Sequence, residues 1–428
     1  MFNKKVGMLI LSSVAVLGLA ACGGDDGGSS GGTENDFSKE FRDNYNGTLV
    51  VSGPATQGKF IAQVGALYNQ KREEAGLPKV TISVVAHEES AIDSDVANWQ
   101  DGPDVFAFAS DKTQEIFKKG GLSPVVGKNA TYVKNNNSDA SITASTFSEK
   151  LYAYPYTGDN GYFLMYNKSF FAGDDADKYM TFEGISQVCA KLGKKFGYPL
   201  TTAYYGAGLL HTYGADYNVT FNEDGTTSRI TADFNTQKGI DAAKLMIKIM
   251  TDPAFEDSNN VAPGINNNQI AVIDGSWNVK NYSDQLGENF GCAKMPTITL
   301  DGHEATTIGS MLGYKLMGVN GSISDSEKLA AAHNFAKYMT SPEIQEKRFD
   351  DLMVAPTATE IASKDKVKNT PSVKALAEQA PFARSQTVVP GGVWTAPETL
   401  AKGIKTGTIT EANLVEAMNN LNTTIVNS

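Results

Sequence analysis

The residues of this chain best suited to chemistry are large aromatic rings set in turns beside carboxylates, amides and an ammonium group. Phe108 lies near the end of a short apolar run, and Asp111 and Lys112 follow within four positions. Trp277 stands in Asp274-Gly275-Ser276-Trp277, directly after the apolar Ala271-Val272-Ile273, and Trp394 follows Gly391-Gly392-Val393. A turn is a poor place to bury an indole, so both tryptophans are expected to present a face. Asp159 and Asn160 belong to a polar stretch, residues 157–161, between two strand-like runs rich in aromatics. A pyranose carries C–H bonds on its faces and hydroxyls around its rim. Flat rings with planar polar groups beside them are therefore the equipment of a carbohydrate site.

The same carboxylates keep a catalytic alternative open. A secreted glycosidase uses similar rings plus two carboxyl groups at a fixed separation, and Asp111, Asp159 and Asp274 are candidates, although no spacing singles out an acid and a nucleophile. His87, His211, His303 and His333 are scattered, with no HExxH pattern. The G-x-S-x-G matches begin at Gly27 and Gly28, inside a glycine-serine tract that cannot build a nucleophile elbow. Cys22, Cys189 and Cys292 lack metal-type spacing, so neither metal nor cofactor is expected. Cys189 and Cys292 are read either as one disulfide or as two thiols. The turn Gly53-Pro54-Ala55-Thr56-Gln57-Gly58-Lys59 follows a phosphate loop until Phe60, which replaces the hydroxyl that must reach magnesium. It is read instead as opening onto a groove, with Gln57 donating to a neutral ligand.

The elements that must position these groups alternate between strand and helix. Thr48-Leu49-Val50-Val51 reads as a strand, Phe60, Val64, Leu67 and Tyr68 recur at helical spacing, and residues 80–85 give a second strand. Such a unit pairs its strands in parallel through a right-handed crossover. Ligands bind beyond the carboxyl ends of parallel strands, which is where Phe108, Asp111 and Lys112 stand. Phe117 and Trp99 are assigned to packing, Gly120-Gly121 to the end of a helix, and residues 122–126 to the start of a strand. Ala243, Met246, Ile247 and Met250 mark a core-facing helical stripe, as do Leu329, Ala332, Ala336 and Met339, and Leu414, Ala417, Met418 and Leu421. The polar stretch 157–161 is expected to cross from one α/β lobe to another, placing Asp159 and Asn160 at the mouth of the groove between them. Glu88 and Glu89 fit either that groove or a solvated loop.

Lys4 and Lys5 precede a mostly apolar run, residues 6–19, that is shorter than the roughly 20 residues needed to span a bilayer. The run ends Leu19-Ala20-Ala21-Cys22, which resembles a bacterial lipoprotein signal and implies cleavage before Cys22 and lipidation of its thiol. Residues 23–32 are all Gly, Asp or Ser and read as a flexible tether. The mature chain is thus expected outside the cytoplasm, anchored on the bacterial cell membrane. The formal charge of −11 becomes −13 without Lys4 and Lys5, an acidic balance that argues against nucleic acid as a partner. A chain of 428 residues is long enough for two domains.

Four blocks together carry a resemblance. They are residues 101–112 (DGPDVFAFASDK), 150–171 (KLYAYPYTGDNGYFLMYNKSFF), 271–277 (AVIDGSW) and 290–297 (FGCAKMPT). In order and spacing they resemble the maltose/maltodextrin-binding proteins of ABC importers, across nearly the whole mature chain. The resemblance implies a two-lobed α/β clamshell of the periplasmic-binding-protein type, each lobe a mostly parallel sheet flanked by helices. The chain would cross between lobes about three times, near residues 156–160, 295–297 and 356–366. The implied segments are a signal peptide at 1–21, a lipidated Cys and tether at 22–46, a first lobe of 47–157 plus 297–364, and a second of 158–296 plus 365–428. Sugar stacking is implied on Phe108, Trp277 and Trp394 and on Tyr204 or Tyr205, with polar contacts from Asp111, Lys112 and Asp159. The crossing is one residue longer than the family pattern, which leaves Asp159 and Asn160 as alternatives. Phe108 stands where Trp is usual, Lys112 where Arg is usual, and Thr395 where a second aromatic is common. The implied partners are an oligosaccharide of the α-glucan class, the membrane permease subunits, and the membrane itself through the lipid; the protein is expected to be a monomer.

Overall fold

The computed structural model describes residues 43–222, 225–258 and 268–428. The signal, Cys22 and the tether up to residue 42 lie outside the described residues, while the expected end of the tether is packed: Asp43 is buried and accepts from Arg72 Nη2 at 2.8 Å. The first strands form as the apolar spacing predicts. β1 (Thr48–Gly53) pairs in parallel with β2 (Thr81–Ala86) across the helix Gly58–Glu74, and with β3 (Val105–Ala109) on its other side. Every residue of β3 is buried because both of its faces are covered: Val105 and Ala107 enter one apolar cluster, Phe106 and Phe108 another.

The two strand-like runs and the polar crossing between them form a single strand, β4 (Ala153–Asn167), of 15 residues. Residues 157–161 stay extended because they still have strand partners. The carboxyl-terminal half of β4 pairs antiparallel with β7 (Gln269–Gly275) and β8 (Phe290–Ala293), while β9 (Ser310–Val319) runs antiparallel along Ala153 to Gly161. β9 also pairs antiparallel with β3, β10 (Ala383–Ser385) pairs in parallel with the start of β9, and β5 (Lys195–Gly197) and β6 (Phe255–Glu256) extend the β7 side in parallel. The sheet order is therefore β6-β5-β7-β4-β9-β3-β1-β2, parallel at its outer strands and antiparallel where the two long strands enter. That mixture departs from the mostly parallel lobes expected.

The fold is two-lobed, with separate cores at the two ends of β4. Tyr154 and Tyr156 pack with Leu49, Val64, Phe335 and Met339, whereas Tyr162, Leu164 and Tyr166 pack with Ile185, Phe196, Met246 and Ile273. The second crossing falls later than residues 295–297. Met295, Ile298, Ile308 and Met311 all belong to the second core, and the chain enters the first with Leu316 and Met317. Close to the third expected crossing, Gly158 N–H donates to Ala355 O at 2.9 Å, beside the crossing strand. The helical stripes also bury, in Gln237–Thr251, Ser326–Met339 and Leu414–Val426, although Ile247, Met250, Leu329 and Ala417 are only partly covered. Residues 122–126 form no strand; their backbone is held by single bonds such as Ser123 N–H to Val319 O at 2.8 Å. Cys189 and Cys292 are free thiols, with Cys189 inside the second core and Cys292 at the edge of a neighbouring cluster, and burial pushes both up to about 12.

Candidate binding groove

Three aromatic rings converge on the second-lobe side. Trp277 sits in the turn Ser276–Asn278 that ends β7, Tyr204 opens the helix Ala203–Leu210, and Trp394 ends the turn Gly391–Trp394. Their arrangement hinges on Tyr204, whose ring centroid lies 6.1 Å from that of Trp277 and 6.2 Å from that of Trp394. Trp277 is 47% exposed, unusual for so large an apolar ring, while Tyr204 and Trp394 are half-buried. Tyr205 is the other candidate and points inward: it is buried, and its hydroxyl donates to Asp274 Oδ1 at 3.1 Å. Of the two tyrosines, Tyr204 joins the row.

Polar groups gather opposite, on first-lobe elements. The turn Ser110–Lys112 brings Asp111 to the end of β3, where it accepts from Gln386 Nε2 at 2.8 Å. Lys112 Nζ lies 3.6 Å from Asp111 and 3.9 Å from Asp93. Lys315 Nζ, on β9, is 3.1 Å from Glu89 Oε2. Arg348 is buried with its guanidinium 3.6 Å from the centre of the Tyr156 ring, and donates from Nη2 to Gln57 Oε1 at 2.7 Å. Gln57 thus accepts through its oxygen, a bond that does not engage the amide nitrogen expected to donate. Glu88 is exposed while Glu89 is buried, which sorts the two acids after β2.

The crossing strand joins the two sets. Asp159 Oδ2 accepts from Ala355 N–H at 3.3 Å, and its carbonyl accepts from Ser276 Oγ. Asn160 Nδ2 donates to Gln386 Oε1 at 3.0 Å, and its carbonyl accepts from Tyr204 Oη at 3.3 Å. Both residues of the undecided pair are therefore buried and bonded at the junction. Burial raises the carboxyls of Asp111 and Asp159 above the usual range, and Lys112 and Lys315 on the first and Thr157 and Arg348 on the second oppose that rise. The Tyr204 phenol is raised well above its usual value by burial, and further by Tyr162, Asp111 and Asp159. Asp274, a candidate acid by sequence, instead accepts from Tyr205, Asn278, Tyr282 and Gly275 N–H, which makes it a structural anchor beneath the Trp277 turn.

Phe108 corrects the expected set of stacking rings. It is fully buried, 5.6 Å from Phe106, among Trp99, Ile116 and Leu316. Phe108 shares a face with Phe106, and in this strand both faces are packed, so neither is left to a ligand. The residues that sequence reasoning passed over are Lys315, Arg348 and Gln386. Two of them left a signal, since Lys315 interrupts the otherwise uncharged SMLGYKLMGV, and Arg348 falls on the buried face of its helix with Ile344 and Phe349. A hollow of about 310 Å³ elsewhere, between Ala396–Thr406 and Leu414–Val426, has no aromatic lining and is not this groove. Among the described residues no cluster of His, Cys, Asp or Glu is arranged to hold a metal ion.

Two lobes threaded by long shared strands, with rings and hydrogen-bonding groups facing each other at the threads, define a ligand-binding protein of the clamshell class. The chain belongs to the bacterial extracellular solute-binding proteins, whose family profile matches residues 66–375. Among solved structures it is similar to one in complex with acarbose, at 24% identity and a TM-score of 0.77, covering 90% of this chain and 99% of the other. It is also similar to a maltodextrin-binding protein of L. casei BL23 determined without ligand, at 23% identity and a TM-score of 0.74, covering 90% of this chain and 100% of the other. A third is the GacH receptor of Streptomyces glaucescens, determined unliganded and with acarbose, at 17% identity and a TM-score of 0.71, covering 90% and 99%. No curated protein matches the chain. Among the described residues no helix is long and apolar enough to cross a membrane.

Proposed function

We propose that this chain captures maltooligosaccharides or their acarbose-like analogues for an ABC importer and delivers them unaltered to the membrane permease. The observation that carries the reading is the row Trp277, Tyr204 and Trp394, whose two outer rings each lie about one aromatic contact from Tyr204 and leave half of Trp277 open to a ligand. Consecutive rings of a linear glucan stack on such a row, while Asp111, Lys112, Asp159 and Asn160 meet their hydroxyls. The binding of maltodextrin and acarbose by structural neighbours supports this ligand class. Closure of the lobes follows from contacts made only when both walls touch the sugar, with bending at the crossing strands β4 and β9. In this reading Cys22 carries the lipid that holds the protein at the membrane.

Calorimetric titration of the signal-less protein with maltose, maltotriose, longer maltooligosaccharides, acarbose and non-α-glucan controls tests it. Saturable binding of the α-glucans and not of the controls is expected; binding only to a control would transfer the groove to another oligosaccharide. Chromatography of the incubated sugars should recover them at full length. Shortened products would instead make the protein a glycosidase.

A further inference from the structure

β9 faces a bulge of β4 at one residue, Lys315: three steps along β9 from Gly313 to Leu316 match five along β4 from Asn160 to Pro155. Its register against β4 shifts between Gly313 and Lys315 and again between Lys315 and Leu316, opposite Pro155 and Thr157, while Lys315 keeps its place against Ala109 of β3. A bulge disrupts the ladder locally, and the residue standing opposite this one is the one charged group of β9. Lys315 reaches between the lobes. Its ammonium is 3.1 Å from Glu89 Oε2 and 6.0 Å from the centre of the half-exposed Trp277 ring, and its charge acts on both Asp111 and Asp159. Glu89 uses only one oxygen in this pair: Oε1 is buried and has no hydrogen-bond partner. An ammonium has three donors, so the pair offers free N–H groups beside a free carboxylate oxygen, across the groove from an open indole.

We propose that Lys315 and Glu89 form a hydroxyl-reading pair, in which Lys315 donates to one rim oxygen of the sugar stacked on Trp277 and Glu89 Oε1 accepts from the neighbouring hydroxyl. The inference rests on the oligosaccharide reading of the groove and assigns its ring-edge specificity to residues outside the aromatic row. A donor and an acceptor side by side select a vicinal diol. The mutual neutralisation of the two charges gives an anionic sugar no advantage over a neutral one.

The test is titration of maltotriose into the wild type, K315M and the double variant K315M/E89M, with thermal unfolding of each free protein. The double variant removes both charges together, so no lone ion is left buried. Both variants should bind maltotriose at least tenfold more weakly, and the double variant should keep the melting temperature of the wild type. Affinity within twofold of the wild type in the double variant would overturn the pair as a reader of the ligand, whatever happens to the fold of K315M. A wild type that binds no α-glucan would overturn the oligosaccharide reading itself, and this inference with it.

Discussion

The two walls of the groove are built on opposite principles. The second-lobe wall is aromatic and pre-formed, with Trp277 and Trp394 presented by short turns and spaced by Tyr204. The first-lobe wall is a charge network, in which Asp93, Lys112 and Asp111 connect in sequence and Glu89 pairs with Lys315. Rings provide contact area that any sugar face can use. Paired charges and amides fix direction, because each oxygen or N–H points one way. A protein divided in this way separates affinity from selectivity, and the division places the adaptable part on one lobe.

The contrast between Phe108 and Trp277 gives the largest expected effect. Phe108→Ala should cost about 3–5 kcal/mol of stability, read by chemical denaturation, as a core cavity does. A stable Phe108→Ala protein that had lost sugar binding would return that ring to the ligand. The second contrast compares the two cores directly, since each contains a buried histidine held near pH 4 by loss of hydration: His211 in the second lobe and His333 in the first. Unfolding lets each regain its ordinary value near 6.5, so stability is full above that pH and falls as pH drops from about 6.5 toward 4, by roughly 3 kcal/mol per histidine. His333→Gln should flatten the pH dependence measured by urea unfolding by about half; an unchanged slope would mean the first core does not contribute.

Trp277→Ala comes next, with roughly 1–3 kcal/mol lost from maltotriose binding and little change in the melting temperature of the free protein. An equal loss of stability would make the ring structural and remove the contrast between the walls. The smallest effect is on the charged wall. Asp111 has its folded carboxyl raised by burial, so ionising it opposes folding as pH climbs through and above the ordinary carboxylate range. Asp111→Asn should therefore be the more stable protein at neutral pH, and the difference should vanish as pH falls below that range. A variant less stable at neutral pH would show that the partners of Asp111 outweigh its desolvation.

Much of the site was legible because its parts are local. Tryptophans after glycine-rich turns, Asp111 and Lys112 just past a strand, and Asp159 and Asn160 in the crossing segment all lie where their types and spacing suggest. Phe108 fails as a ligand ring because a continuously apolar run marks a strand covered on both faces. The crossing is legible, but its extended form is not, because glycine and asparagine usually break strands, whereas here flanking strands on both sides supply the partners that keep it extended. Lys315 and Arg348 were passed over because the side chains they bond, Glu89 and Gln57, each lie more than two hundred positions away.

By itself the sequence determined the alternation of strands and helices, the apolar stripes that build two cores, and the turn-borne tryptophans of the candidate groove, because each depends on neighbours a few residues apart. Tertiary structure alone decided which rings face the groove, which carboxylate is a buried anchor and which can meet a ligand, and where the chain changes lobe. Those outcomes depend on contacts between segments far apart in the chain, such as β9 with β3 and β4, and on the surface each contact removes from water.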